Sequence, residues 1–281
     1  MRILVTNDDG IDAPGIGYLI EAMTDLGEVV VAAPDREFSG ASQAVGSLMH
    51  HAPSIRRRSI AGAAEAWEVA GPPALCVIYA QTGIVGPIPD LVVSGINPGA
   101  NIGRSVYHSG TLGACLSARN CGWSGVAVSQ AAPVSTGPDG QAYYDTHGLQ
   151  RWGVAAEVAH TFVGALIADL PVEPVVVNVN VPNLELADIA GWQLAEVSPT
   201  PAAVIVDPVL TPRHDDPDAF DVGLRWERDP EPVTGTDTGT LWSQHVSVSY
   251  ITRLAHHARP DLGGPEASLA EMLGSARRSA G

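Results

Sequence analysis

The sequence predicts an α/β fold: a doubly wound, mostly parallel sheet with helices on both sides. Two observations lead there. Short, continuous apolar runs recur, among them Ile3-Leu4-Val5, Val29-Val30-Val31, Leu91-Val92-Val93 and Val175-Val176-Val177. Runs of that length, rich in β-branched residues, suit strands buried on both faces of a parallel sheet. Between them lie stretches whose apolar residues fall at helical spacing, and alternation of the two patterns is the mark of this class.

The first strand, Ile3-Leu4-Val5, ends abruptly in Asn7-Asp8-Asp9-Gly10. Asp12 stands where it would cap a helix and Pro14 suits the first turn; Ile16, Leu19, Ile20, Met23 and Leu26 keep helical spacing, and Gly27 supplies the stop. The second strand, residues 28–34, completes a βαβ unit and runs into a polar cluster, Asp35 to Ser42. In residues 43–65, His50 and His51 carry no assigned role, and Arg56-Arg57-Arg58 reads as a solvated hairpin. A strand follows at 67–70, a helix opened by Gly71-Pro72-Pro73, a buried strand at 90–94, and an irregular glycine- and asparagine-rich loop at 95–103. Ser109-Gly110-Thr111 precedes a helical pattern, residues 125–129 form a strand, 132–140 a loop and 147–170 a long helix. Residues 174–182 are a strand with Asn178 and Asn180 on one face, by which point the sheet is essentially complete. From 199 to 232 proline and aspartate are frequent and helical periodicity vanishes, while 203–206 and 222–226 can pair as two strands of a projecting arm. Residues 244–251 alternate as a strand, and 254–281 form a polar, partly helical tail. The division expected is a core over 1–185 and, over 186–281, the arm, a returning strand and the tail, as one domain overall.

Composition narrows the function. Against 31 acidic residues stand 15 basic ones, a formal charge of −16, which repels nucleic-acid polymers and anionic membranes. Cys76, Cys115 and Cys121 are too few for a disulfide scaffold and sit in apolar helical patterns, so they read as structural. The N-terminus enters a strand without a signal-peptide pattern, and the longest apolar segment, 154–170, is interrupted by Glu157, His160 and Asp169. The expectation is a soluble cytoplasmic protein.

The chemistry concentrates past the strand ends, where open α/β sheets bind ligands. Asp8 and Asp9 are adjacent carboxylates that repel unless a proton or cation lies between them. Carboxylates together with Ser39, Asn97 and Asn101 make an all-oxygen set suited to Mg²⁺ or Mn²⁺ rather than zinc. Asn-Asp-Asp-Gly is equally a local Asx turn. Ser109 or Thr111 at a helix start can bind phosphate with the adjoining N–H groups, or can simply cap the helix.

Thr6-Asn7-Asp8-Asp9-Gly10, the 34–42 segment ending Ser39-Gly40-Ala41-Ser42, the 94–103 loop and Ser109-Gly110-Thr111 together resemble the SurE survival-protein nucleotidases. Asn178-Val179-Asn180-Val181-Pro182 and Thr236-Asp237-Thr238 look like later signatures of that family. The resemblance implies a Rossmann-like core with one divalent metal ion, Mg²⁺ or Mn²⁺, held by Asp8, Asp9, Ser39 and Asn97. It implies hydrolysis of nucleoside 5′- and 3′-monophosphates, and a homodimer or homotetramer built from a projecting hairpin and an exchanged C-terminal tail. Asp8 and Asp9 become the catalytic pair, while Asn101, Ser109, Gly110, Thr111, Ser42 and His108 become candidates for phosphate or substrate binding. Many members have an acidic residue where Ser105 stands, tyrosine where His108 stands and a glutamate near Ser117-Ala118; these departures, with Arg104, bear on substrate preference and rate. The alternative is a nucleotide-binding sensor with little turnover. A haloacid-dehalogenase-like phosphatase fits poorly because Asp8 and Asp9 are adjacent, and a dinucleotide oxidoreductase lacks the Gly-x-Gly-x-x-Gly turn.

Overall fold

The structure, a computed structural model, describes residues 1–46, 53–132, 134–136, 142–144, 149–216, 218–228, 233–252 and 263–273. The strands are β1 (Arg2–Thr6), β2 (Glu28–Pro34), β3 (Ile55–Arg58), β4 (Glu65–Val69), β5 (Leu91–Pro98), β6 (Ser124–Gln130), β7 (Val134–Thr136), β8 (Ala142–Tyr144), β9 (Val176–Val181), β10 (Gly191–Leu194), β11 (Ala203–Pro212), β12 (Phe220–Arg228) and β13 (His245–Ile251). The helices are α1 (Pro14–Met23), α2 (Pro73–Gln81), α3 (Gly110–Asn120), α4 (Trp152–Ala168), α5 (Asp237–Trp242) and α6 (Gly263–Leu273). Residues 1–251 form one unit; 252–281 form a second, in which the described element is α6.

Nine strands make one sheet in the order β10-β13-β9-β6-β5-β1-β2-β4-β3. Pairing is parallel except for β3 with β4 and β13 with β9. Because side chains alternate across a strand, Ile3 and Val5 enter one apolar layer with α1 and α4, while Leu4 enters another with α2 and α3. The chain moves outward from β1 to β2 and β4, then returns to β5 on the other side of β1. That reversal is the topological switch point, and ligands of such sheets bind at its carboxyl edge. The doubly wound expectation is met.

Several elements differ from the sequence reading. Ala13, not Asp12, is the N-cap of α1 and makes no side-chain bond, because Asp12 instead pairs with Arg58 at 2.6 Å. The basic run does lie in a hairpin, as β3 antiparallel to β4 with Arg56 and Arg57 exposed, but Arg58 turns back to bond Glu68 as well as Asp12. The strand expected at 244–251 is present as β13, but it joins the main sheet, and with the unexpected β10 it extends that sheet beyond residue 182. Part of the 132–140 loop is β7, which pairs with β8. The long helix begins at Trp152, since the Arg151 N–H is taken by Asn183 Oδ1 at 3.1 Å. His50, His51 and the parts of the expected tail at 254–262 and 274–281 lie outside the described residues.

The arm is the β11–β12 ribbon, and it includes the predicted pairing, with Ile205 opposite Trp226. Val209, Leu210 and Val222 stand exposed on it. Cys76 and Cys115 are buried, and burial pushes both thiols far upward, as expected of structural cysteines. Among the described residues no helix is long and apolar enough to cross a membrane.

Candidate active site

The turn after β1 is closed locally and also aims two acids at a cleft. Asn7 Nδ2 donates to the Gly10 carbonyl at 2.8 Å, the Ile11 N–H to the Pro34 carbonyl at 2.8 Å, and the Phe38 N–H to the Asp8 carbonyl at 2.7 Å. Asn7 thus closes the turn as a donor, through its amide N–H, and its Oδ1 accepts no hydrogen bond, so the closure is not an Asx turn. Asp8 and Asp9 are left with their carboxylates for other work.

Asp8 is buried, and the start of α3 is pressed against it. Thr111 Oγ1 donates to Asp8 Oδ1 at 2.6 Å, and the Gly110 and Thr111 N–H groups also favour the ionised form. Burial outweighs them and moves the carboxyl upward from its ordinary value. A Cβ on Gly110 would lie 2.8 Å from Asp8 Oδ2, so this close approach requires glycine. Burial, with repulsion from Asp8 and Glu37, pushes Asp9 up to about 8. Among the described residues lining the cleft there is no lysine or arginine to offset these charges.

Three loops meet the acids. Ser39 Oγ donates to Glu37 Oε1 at 2.7 Å, which leaves the serine lone pairs for a cation. Asn97, at the end of β5, spends its Nδ2 on the Gly99 carbonyl at 2.6 Å and keeps Oδ1 as an acceptor. Asn101 is buried and braced from every side. Its N–H donates to Asn180 Oδ1 at 2.8 Å, its carbonyl accepts from Asn178 Nδ2 at 2.7 Å, and its Nδ2 donates to Ser129 Oγ at 2.9 Å and Thr111 Oγ1 at 3.4 Å. Two residues on, the Gly103 N–H donates to Asp237 Oδ2 at 2.9 Å, while Asp237 Oδ1 accepts from the Ser198 and Thr238 N–H groups.

Asp8, Asp9, Ser39, Asn97, Asn101, His108 and Ser109 all line one cavity of about 820 Å³ at the switch point. Gly110, Thr111 and Ser42 stand behind its wall. Thr111 serves Asp8; the Ser42 N–H donates to the His108 carbonyl at 3.0 Å, and its own carbonyl lies where only glycine at 113 leaves room. Ser109 is a true N-cap, accepting from the Leu112 N–H at 3.0 Å, yet it still faces the cavity. His108 is exposed at the rim. Sequence reasoning gave no role to Glu37 or Trp152, which also line the cavity, nor to Asp237 as a brace. The alternating Asn178 and Asn180 were the one visible sign of the bracing. Among the described residues no three His, Cys, Asp or Glu side chains gather as a metal-binding group, so a cation here would rest on two carboxylates completed by neutral oxygens.

A sequence profile described as survival protein SurE matches residues 3–202. The chain belongs to the SurE family. It is 38% identical over 254 residues to the 5′-nucleotidase SurE of Xanthomonas axonopodis pv. citri (strain 306), covering 89% of each chain. With the 5′-nucleotidase SurE of Xanthomonas campestris pv. campestris (strain 8004) it shares 42% over 198 residues, 70% of each. The crystal structure of the SurE protein from Aquifex aeolicus superposes with a TM-score of 0.72 at 25% identity, over 97% of this chain and 99% of that one. The acid pair, its α3 support and the braced 97–103 loop all fall inside the span matched by the SurE profile, whereas Asp237 lies beyond it.

Proposed function

We propose that this SurE-family chain is a divalent-metal-dependent phosphomonoesterase that hydrolyses nucleoside 5′- and 3′-monophosphates to nucleoside and inorganic phosphate. The observation that carries the reading is the Asp8–Asp9 pair at the switch point, gathered with neutral oxygen donors in a cavity lined by no lysine or arginine among the described residues. The relatives named 5′-nucleotidase SurE supply the substrate class.

The donors fit a hard cation. Asp8, Asp9, Ser39 Oγ and Asn97 Oδ1 would hold it, and two carboxylates with neutral oxygens suit Mg²⁺ or Mn²⁺. Such an ion supplies positive charge against the phosphoryl oxygens and a lower pKa for the attacking water. The protein does the rest by position. Asp9 takes the proton of the attacking water on a carboxylate oxygen, while Thr111 and the start of α3 hold Asp8 in place. Ser109 has its lone pair on the Leu112 N–H and its own O–H free to donate to a phosphoryl oxygen. Asn101 acts through its bracing rather than its amide hydrogens, which are spent inward. His108 meets the substrate from the rim.

The chain works as a homodimer or homotetramer in the cytoplasm. The exposed apolar residues of β11 and β12 support the assembly, because paired apolar strands left in water favour a partner surface. The test is phosphate release from adenosine monophosphate by purified protein, with metal stripped and restored. Turnover that follows the metal bears the reading out; full turnover by protein shown metal-free by elemental analysis refutes it.

A further inference from the structure

The cleft has two chemically different sides that come from opposite faces of the sheet. Asp8, Ser109 and His108 lie toward the start of α3. Pro14 of α1, Ile96 and Pro98 of β5, and Trp152 in the first turn of α4 make an apolar side, and α1 and α4 pack on the face away from α3. Trp152 is the one indole or phenyl group among the described lining residues.

Its position is fixed from behind. A Cβ on Gly15 would lie 3.1 Å from Trp152 Cζ3, so the ring rests directly on the start of α1. The backbone just before it is tied to the carboxyl ends of two strands: Gln130 Nε2 donates to the Arg151 carbonyl at 3.0 Å, and the Arg151 N–H donates to Asn183 Oδ1 at 3.1 Å. Half-buried and so anchored, Trp152 is a flat apolar wall in a cavity whose 820 Å³ or so lies in the range that holds whole small organic ligands.

We infer that Trp152 is a specificity-determining residue that stacks on the nucleobase while the phosphate occupies the Asp8–Ser109 side. The inference deepens the proposed nucleotidase reading and rests on it for the substrate class. Stacking uses the π-face that every base has, and is therefore tolerant of base identity. Pro14, Ile96 and Pro98 offer no side-chain hydrogen bonds to read a base edge, so adenine and guanine are accepted alike.

The experiment compares adenosine monophosphate with ribose 5-phosphate, which lacks the base, in wild type and in Trp152→Phe, Trp152→Leu and Trp152→Ala. Adenosine binding is measured alongside, and thermal melts check folding. For wild type the expected KM for ribose 5-phosphate is roughly tenfold or more above that for adenosine monophosphate. Trp152→Ala and Trp152→Leu should erase that ratio by raising the nucleotide KM alone, with kcat nearly kept, and Trp152→Phe should restore most of it. Equal KM values for the two substrates in wild type, which needs no variant to fold, would overturn the inference. So would an unchanged ratio in a folded Trp152→Leu. Phosphate release without measurable adenosine binding would leave the hydrolase standing and remove the base subsite. Adenosine binding that weakens tenfold in Trp152→Leu, in a protein that releases no phosphate, would do the reverse.

Discussion

Replacing Asp9 by Asn should make the metal-free protein more stable and the enzyme nearly inactive, and the two effects separate a site acid from a turn residue. Burial and the charges of Asp8 and Glu37 hold Asp9 at about 8 in the folded protein, against an ordinary value of 3.8. The sign follows from proton linkage. Below the unfolded value the group is protonated in both states and costs nothing; as pH rises through the folded value it ionises in the folded state too, which then carries the whole penalty. At about 1.4 kcal/mol per tenfold change in proton affinity the displacement amounts to about 6 kcal/mol, and relaxation and water in the open cleft reduce this to on the order of 2 kcal/mol. For a domain of this size that is roughly a 5 °C rise in melting temperature for Asp9→Asn. The rise should be full near pH 8.5 in chelator and absent near pH 4. Saturating Mn²⁺ should reverse the order, because ligand binding stabilises the parent by about 2.7 kcal/mol at a hundredfold excess over Kd. Phosphate release should fall at least 10²–10³-fold at every metal concentration. An Asp9→Asn protein that melts with the parent at pH 8.5, or keeps the same offset at both pH values, would refute the electrostatic argument.

Ser39→Ala should be impaired less than Asp9→Asn and partly rescued by added Mn²⁺ in a metal titration, since water can replace a neutral hydroxyl ligand. Gly110→Ala forces a methyl to within 2.8 Å of the buried Asp8 carboxylate; overpacking of this kind costs about 1–3 kcal/mol, so both the melting temperature and kcat should drop, and an active, parent-like variant would contradict the contact. Asp237→Asn trades a carboxylate oxygen for an amide facing backbone N–H groups, with a cost of about 1–3 kcal/mol and a fall in kcat although Asp237 does not line the cleft, to be read by melting and steady-state kinetics. Ending the chain at Tyr250 should reduce the assembly size in light scattering, and an unchanged size would show that the tail does not hold subunits together.

The central strands were legible because residues buried on both faces must be apolar without interruption, as Ile3-Leu4-Val5 and Leu91-Val92-Val93 are. The acid pair was legible because two adjacent carboxylates past a buried strand repel each other unless a proton or cation lies between them, which a turn alone does not call for. What could not be read depends on partners far along the chain. Asp12 looks like a helix cap until Arg58 is placed beside it, and α4 looks longer until Asn183 claims the Arg151 N–H. β10 escaped because it is only four residues long, too short for the alternation of Trp192 and Leu194 with Gly191 and Gln193 to stand out, and it lies exposed at the sheet margin. Glu37 and Trp152 gave no local signal, since only the meeting of the loop after β2 with β1, β5, α1 and α4 brings them to one cavity.

The bracing of the 97–103 loop sets an order of events during synthesis. Asn101 is held by Asn180, 79 residues later, and Gly103 by Asp237, 134 residues later. Contacts so distant close slowly and wait for their partners. While a ribosome is still translating the first two-thirds of the message, the emerging chain carries the Asn7-Asp8-Asp9-Gly10 turn and the Thr111 and Ser129 partners of Asn101, but not the grip of Asn178, Asn180 and Asp237 on the opposite loop. The wall opposite the acids is thus completed only once α5 has left the exit tunnel, and a nascent chain that stalls earlier holds its acids beside an unfinished wall.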